Sequence, residues 1–264
     1  MKKLKIAVKI IIALMLIFCL LYSLLFICAK YGSKIDIQNS NCIYMYDNDG
    51  KSFYEGNNGT KKWIKLEDIS KDMINATIYS EDKNFYSHSG FDVPRIIKST
   101  LVKKKKKNLK EGASTITQQY ARNLFLTFEK TWKRKIKEAW YAFKLETQYS
   151  KDEILEGYLN TINYGNGILG IENAALYYFN KSAKNLSLAE ASMLAGIPKS
   201  PNNYSPLNDE TAAKKRQKQI LQAMVNNGII SKKEMEEALN VELTYYGKKE
   251  NLNLSTIMYY QDAV

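Results

Sequence analysis

"SKDEILEGYLNTI", Ser150 to Ile162, carries the signature that decides the fold. A serine followed three residues later by a glutamate lets the hydroxyl accept from the third helical amide, while the carboxylate reaches back to the serine N–H. Behind Ser150 and Glu153, the residues Ile154, Leu155, Tyr158, Leu159 and Ile162 recur at helical spacing. The same pattern returns at Ser187 with Glu190, before "LAEASMLAGI", and at Ser231 with Glu234, before "KEMEEALN". Asp209 to Asn227 reads as a further amphipathic helix. "GIPKSPNNYSP", Gly196 to Pro206, holds three of the four prolines and reads as a loop. The expectation is a mainly α domain from about Trp63 to Leu243, with no internal repeat.

Ahead of that domain, "IIIALMLIFCLLYSLLFICA" runs from Ile10 to Ala29 without a charge. A helix of that length spans about 30 Å, the thickness of a bilayer's hydrocarbon core. A cleaved signal peptide has a shorter apolar centre and a small-residue cleavage site, so a retained single-span anchor is expected. Lys2, Lys3, Lys5 and Lys9 precede the segment, and Lys30 and Lys34 follow it. That excess predicts a cytoplasmic N-terminus and an extracytoplasmic bulk. Cys19 and Cys28 lie inside the anchor and only Cys42 outside, so no disulfide framework is expected. Cys28 lacks the small preceding residue of a lipidated cysteine. "CIYMYDNDGKSFYEG", Cys42 to Gly56, alternates around Asp49-Gly50 and predicts a small β-hairpin. The expected division is a tail at 1–9, the anchor at 10–29, a juxtamembrane segment at 30–62, the helical domain at 63–243 and a tail at 244–264.

The net charge of +12 favours an anionic partner, and a hydrophobic content of 45% excludes global disorder. A single histidine and the placement of the cysteines argue against zinc. The run at Lys103 to Lys107 has no nucleic-acid module around it, so no nucleic-acid partner is expected. Those lysines fit contacts to anionic headgroups, and equally a solvated loop.

Chemistry concentrates in separate clusters. "YSEDKNFYSHSG", Tyr79 to Gly90, sets Glu81 and Asp82 beside aromatics and the lone His88. Adjacent helical side chains diverge by about 100°, so at most one of the two carboxylates faces a cleft. Read alone, the pair also suits a solvated helix end. In "GASTITQQYARNLF", Gly112 to Phe125, Ser114, Gln118 and Arg122 fall in one polar row suited to sugars and phosphates, or simply to solvent. Ile116, Tyr120, Leu124 and Phe125 are the expected buried side. In "EKTWKRKIKEAWYAFKLE", Glu129 to Glu146, Lys130, Arg134 and Glu138 share a face, where i,i+4 ion pairs or a diphosphate site are both reasonable.

In that order the clusters resemble the peptidoglycan glycosyltransferases of glycosyltransferase family 51, found alone or as the N-terminal domain of bifunctional penicillin-binding proteins. Glu81, Asp82, Phe85, His88 and Gly90 match one family motif; Gly112 to Gln119, with Ser114, Thr115, Gln118 and Gln119, match a second; Arg134, Lys135 and Glu138 match a third. The resemblance implies a lysozyme-like, two-lobed helical domain with a membrane-facing smaller lobe. It implies Glu81 as general base toward an acceptor 4-hydroxyl and Glu138 as a second essential carboxylate. Asp82, Phe85, His88, Ser114, Thr115, Gln118, Gln119, Arg122, Lys130, Arg134 and Lys135 are implied to hold substrate. No metal ligand set is assigned; a divalent cation, Mg2+ or Mn2+, beside Glu138 and a diphosphate is compatible with the family. Implied partners are lipid II, the lipid-linked glycan chain and the bacterial membrane, with transpeptidases or other cell-wall synthesis proteins as further candidates. The family commonly has lysine at the position of Arg122 and arginine at that of Lys130, and the two cations do not bind phosphate identically.

Other readings stay open on sequence. A muramidase or lytic transglycosylase would need Glu81 as a protonated acid and has little use for the cationic rows. "SEDK", Ser80 to Lys83, and "SPN", Ser200 to Asn202, imitate acyltransferase motifs but lack a following Lys-Thr-Gly triplet. A membrane-tethered scaffold would not need both glutamates. No transpeptidase domain is expected in the sequence to Val264. A natural monofunctional enzyme, a truncated bifunctional relative and one dedicated to a stage such as sporulation all fit.

Overall fold

Ser150, Ser187 and Ser231 each open a helix through a reciprocal capping box with Glu153, Glu190 and Glu234. The computed structural model describes residues 2–37, 44–46, 52–55, 63–105, 114–125 and 131–247. The fold is mainly helical, with an apolar helix at its N-terminus. That helix, α1 (Lys2–Tyr31), contains an apolar span at Lys9–Tyr31 with a hydropathy of 3.1, slightly longer than the expected 10–29. Two short strands, β1 (Tyr44–Tyr46) and β2 (Ser52–Glu55), pair antiparallel. The Asp49-Gly50 turn expected between them lies outside the described residues, as does Cys42.

The body follows as α2 (Lys71–Glu81), α3 (Val93–Lys105), α4 (Ile116–Phe125), α5 (Trp132–Gln148), α6 (Lys151–Thr161) and α7 (Ile171–Phe179). It continues through α8 (Leu188–Gly196), α9 (Pro201–Tyr204), α10 (Glu210–Asn226) and α11 (Lys232–Asn240). The expected loop from Gly196 to Pro206 is instead a 3-10 turn at Ile197–Lys199 followed by α9. Pro198 and Pro201 sit in the first turns of these short helices, where a missing N–H costs no hydrogen bond, and Pro206 follows in a turn.

Two helix groups build the core. In one, α2 packs against α8 and α10, burying Met73, Ala76 and Ile78 against Met193, Leu194, Ile220, Leu221 and Met224. In the other, α4 packs on α5 and α6 through Ile116, Tyr120, Leu124, Ala142, Leu145, Ile154 and Leu155. Phe125, expected on the buried side, is half-buried and stacks on Tyr141 with ring centroids 4.3 Å apart. All these residues belong to one apolar cluster. Each fully buried aliphatic side chain contributes about 1.5–3 kcal/mol, and hydrogen bonds from Gln119 to Glu81 and from Ile116 N to Asp82 join α4 to the end of α2. The functional side chains lie along that seam.

The apolar helix α1 is docked on the body rather than free of it. Gln148, at the end of α5, donates from Nε2 to Ala29 O at 2.7 Å and accepts from Ile35 N at 2.9 Å. Lys144 Nζ donates to Ser33 Oγ at 3.2 Å, and Tyr22 meets Phe143 edge to face.

Candidate active site

Glu81 is the last residue of α2, and its side chain is 13% exposed. It opens onto a cavity of about 470 Å³ bordered also by Tyr79, Lys83, Arg95, Lys98 and Lys199. Its Oε2 accepts from Gln119 Nε2 at 3.0 Å, and its Oε1 lies 3.4 Å from Arg216 Nη2. Gln119 is oriented in turn by Tyr158, whose hydroxyl donates to Gln119 Oε1 at 3.2 Å. Burial pushes the Tyr158 phenol well above its ordinary value, and the Glu81 carboxylate adds to that shift while Arg122 opposes it. Tyr158 therefore stays protonated and donates, which turns the amide N–H of Gln119 toward Glu81.

Asp82 also borders that cavity, but its carboxylate is bonded into the body. It is 1% exposed, and both carboxylate oxygens lie 3.0 Å from His88 Nε2. Its Oδ2 also accepts from Ile116 N at 3.0 Å. Arg95 closes the corner, donating from Nη1 to Glu81 O at 2.5 Å. Phe85 is fully buried, with Lys151 Nζ 4.4 Å from its ring centroid. Lys151 pairs with Glu146 at 2.7 Å, and Glu146 accepts from Thr117 Oγ1. Gly90, at φ +83°, lies where a Cβ would approach Glu146 Cγ to 3.0 Å. The first motif thus presents Glu81 to the cavity, while Asp82, Phe85, His88 and Gly90 hold the turn beneath it.

The second motif divides in the same manner. Thr115 Oγ1 accepts from Gln118 N and Gln118 Oε1 accepts from Thr115 N, both at 3.1 Å, which makes a fourth capping box. Thr115 Oγ1 also donates to Gly90 O at 2.7 Å. Gln118 is 4% exposed, so the expected polar row of Ser114, Gln118 and Arg122 does not form. Ser114 precedes the helix, Gln118 folds back onto the cap, and Gln119 is the amide that reaches Glu81. Arg122 is half-buried near Tyr158.

On α5, Glu138 is 1% exposed and pairs through Oε1 with Lys135, three residues earlier, rather than with Arg134. Lys135 Nζ also reaches Ser114 Oγ at 3.5 Å. Glu138 Oε2 and Arg134 Nε are buried with no hydrogen-bond partner among the described residues. Lys130 lies outside the described residues, as do Lys106 and Lys107. No group of three or more His, Cys, Asp or Glu suited to a metal occurs among the described residues. Glu138 could give a divalent ion one oxygen, Oε2; phosphate and water would have to supply the rest, which suits Mg2+ chemistry.

A larger hollow of about 720 Å³, bordered by Lys65, Glu67, Tyr86, Asp152 and Glu156, lies away from these residues. Its Asp152 is bonded to Tyr86 Oη, and its Glu156 to Trp63 Nε1 and Leu66 N. Arg216 is the site residue that no motif or spacing singles out. It comes from α10 and meets Glu81 only through the packing of α2, α8 and α10.

The family described as Transglycosylase matches residues 49–225, and the chain belongs to that family, homologous to the glycosyltransferase domains of class A penicillin-binding proteins. It is 47% identical over 235 residues to penicillin-binding protein 2D of Bacillus subtilis (strain 168), covering 89% of this chain and 34% of that protein. Penicillin-binding protein 4 of the same organism is 38% identical over 209 residues, covering 78% of this chain and 33% of that protein. The solved structure of penicillin-binding protein 1A from Haemophilus influenzae is similar over 87% of this chain and 24% of that one, at 22% identity and a TM-score of 0.44. The chain spans about a third of the length of these two curated relatives.

Proposed function

We propose that the protein is a membrane-anchored peptidoglycan glycosyltransferase that polymerises lipid II into β-1,4-linked glycan with release of undecaprenyl diphosphate. The observation that carries this reading is that one short segment, Ser114 to Gln119, bonds one glutamate directly and the lysine partner of the other. Gln119 binds Glu81 directly, and Ser114 receives Lys135, the partner of Glu138.

In the proposed reaction the acceptor's 4-hydroxyl oxygen attacks C1 of the lipid-linked donor sugar. The bond from C1 to the diphosphate oxygen breaks, and the hydroxyl proton passes to Glu81. A sugar hydroxyl is a poor nucleophile near neutral pH, so an ionised carboxylate within hydrogen-bond reach is what the step needs. The departing diphosphate gains charge as it leaves, and Arg134 and Lys135 are proposed to stabilise it, with Arg122 and Lys130 beside them. Attack opposite the leaving group inverts C1, as at inverting glycosidases with a hydroxyl in place of water. Glu138 is proposed to hold Lys135 toward the diphosphate. A divalent ion bound there would neutralise further phosphate charge.

The proposed setting is the cell membrane, crossed once by α1, with the N-terminus cytoplasmic and a two-lobed, lysozyme-related domain outside. Lipid substrates stay in the bilayer, so a site tethered at its surface meets them at high local concentration. The test is polymerisation of lipid II by the full chain and by Glu81→Gln, with and without moenomycin. The parent should build glycan and be inhibited, and the variant should lose at least about 10²-fold in rate. Equal rates would overturn the assignment.

A further inference from the structure

Resting on the reading of Glu81 as base, we propose that Arg216 is its positioning residue, fixing the carboxylate plane so that Oε1 meets the acceptor hydroxyl. Gln119 grips only Oε2, and one hydrogen bond leaves the carboxylate free to swing about its terminal torsion. Arg216 Nη2 meets the other oxygen at 3.4 Å, and two contacts on two oxygens define the plane. The second contact is longer than a tight hydrogen bond, so Oε1 keeps more of its accepting capacity than Oε2. Oε1 is therefore the oxygen that takes the proton.

The arrangement is built, not incidental to a surface. The Arg216 side chain is 9% exposed, and Glu81 is its carboxylate partner. Its remaining described hydrogen bond is with Gln219 Oε1 at 3.5 Å, and its Nε is buried with no hydrogen-bond partner among the described residues. A buried guanidinium is tolerated only where charge and hydrogen bonds compensate it. The route of the side chain depends on α8, because a Cβ on Gly196 would come within 2.9 Å of Arg216 Cγ. The glycine at the end of α8 is thus a passage through which α10 delivers a cation to the end of α2.

The experiment measures kcat and KM for lipid II polymerisation by the full chain in detergent, with melting temperatures alongside. Arg216→Gln should lower kcat about 10²-fold and leave KM within about 2-fold, since misplacing a reacting group acts on the transition state. Arg216→Lys should recover part of the loss, because an ammonium restores the charge but not the fork. Gly196→Ala keeps both Glu81 and Arg216 and should still lower kcat with little change in KM. A folded Arg216→Gln protein at the parental kcat, or one that changes KM alone, overturns the inference. Should Arg216→Gln fail to fold, parental kcat in both Arg216→Lys and Gly196→Ala overturns it. Glu81→Gln runs in the same series: if it is active, the base assignment has failed; if it is inactive while Arg216→Gln matches the parent, only Arg216 has lost its role.

Discussion

Asp82 Oδ2 accepts from the backbone N–H of Ile116 at 3.0 Å, so the carboxylate just after α2 caps the helix that begins α4. The same carboxylate holds His88. Removing it leaves a buried amide and a buried imidazole without their acceptor, at about 1–3 kcal/mol for each unsatisfied group. Asp82→Ala should therefore melt several degrees below the parent, at about 2–4 °C per kcal/mol for a domain of this size. Activity should fall with stability, because α4 carries Gln119. Thermal melts of the full chain in detergent check this. A variant that melts like its parent yet is inactive would instead put Asp82 in contact with substrate.

The neighbouring glutamines should separate cleanly. Gln118→Ala removes half of the cap on α4 and should lower stability by about 1 kcal/mol. Gln119→Ala breaks the link from Tyr158 to Glu81 and should lower kcat by about 10-fold or more, with a smaller effect on melting. Paired melting and rate measurements would expose the reverse assignment at once.

What the sequence made legible were features written in local spacing. The capping boxes at Ser150, Ser187 and Ser231 and the helix start at Asp209 depend on contacts three residues apart, and each is present. Ser114, Gln118 and Arg122 show where spacing misleads. A four-residue repeat marks a face only if the helix is already running, and α4 starts at Ile116, after Ser114. Thr115 and Gln118 have the spacing of a capping box that the polar row obscured. Arg216 lies beyond local reading altogether, since it meets Glu81 through packing between helices distant in sequence.

The capping glutamates predict an acid limit on stability. The N–H and hydroxyl of Ser150 hold the Glu153 carboxyl below its usual value of 4.5. Burial alone would raise Glu190, but Lys181 and Ser187 outweigh it and the net shift is also downward. A carboxylate whose folded pKa lies below its unfolded one stabilises fully above the unfolded value, and that contribution is lost as pH falls through the folded value. The caps should thus contribute fully above the glutamates' ordinary value of 4.5, and the parent should lose that contribution as pH falls below it through the lowered folded values. A Ser150→Ala, Ser187→Ala double variant should melt lower at neutral pH, and its gap from the parent should narrow as the glutamates protonate. A gap that stays constant from pH 7 to 3 would mean that the caps do not carry this dependence.

Gln148 makes the last prediction, because it ties α1 to the helix that bears Arg134, Lys135 and Glu138. It satisfies Ala29 O, one of the carbonyls that the last turn of α1 cannot bond internally, and the N–H of Ile35 beyond the helix end. Losing both bonds should cost about 1–3 kcal/mol locally, concentrated where α1 meets α5. In Gln148→Ala, amide exchange at Ile35 should accelerate by about tenfold for each 1.4 kcal/mol lost. The buried core far from the junction, such as Leu221 on α10, should keep its protection. If α1 sets the position of α5 relative to the bilayer, polymerisation by the vesicle-reconstituted variant should fall while the seam between Glu81 and Gln119 stays intact. Unchanged exchange at Ile35 would show that α1 is held by other contacts, such as Lys144 to Ser33 and Tyr22 to Phe143.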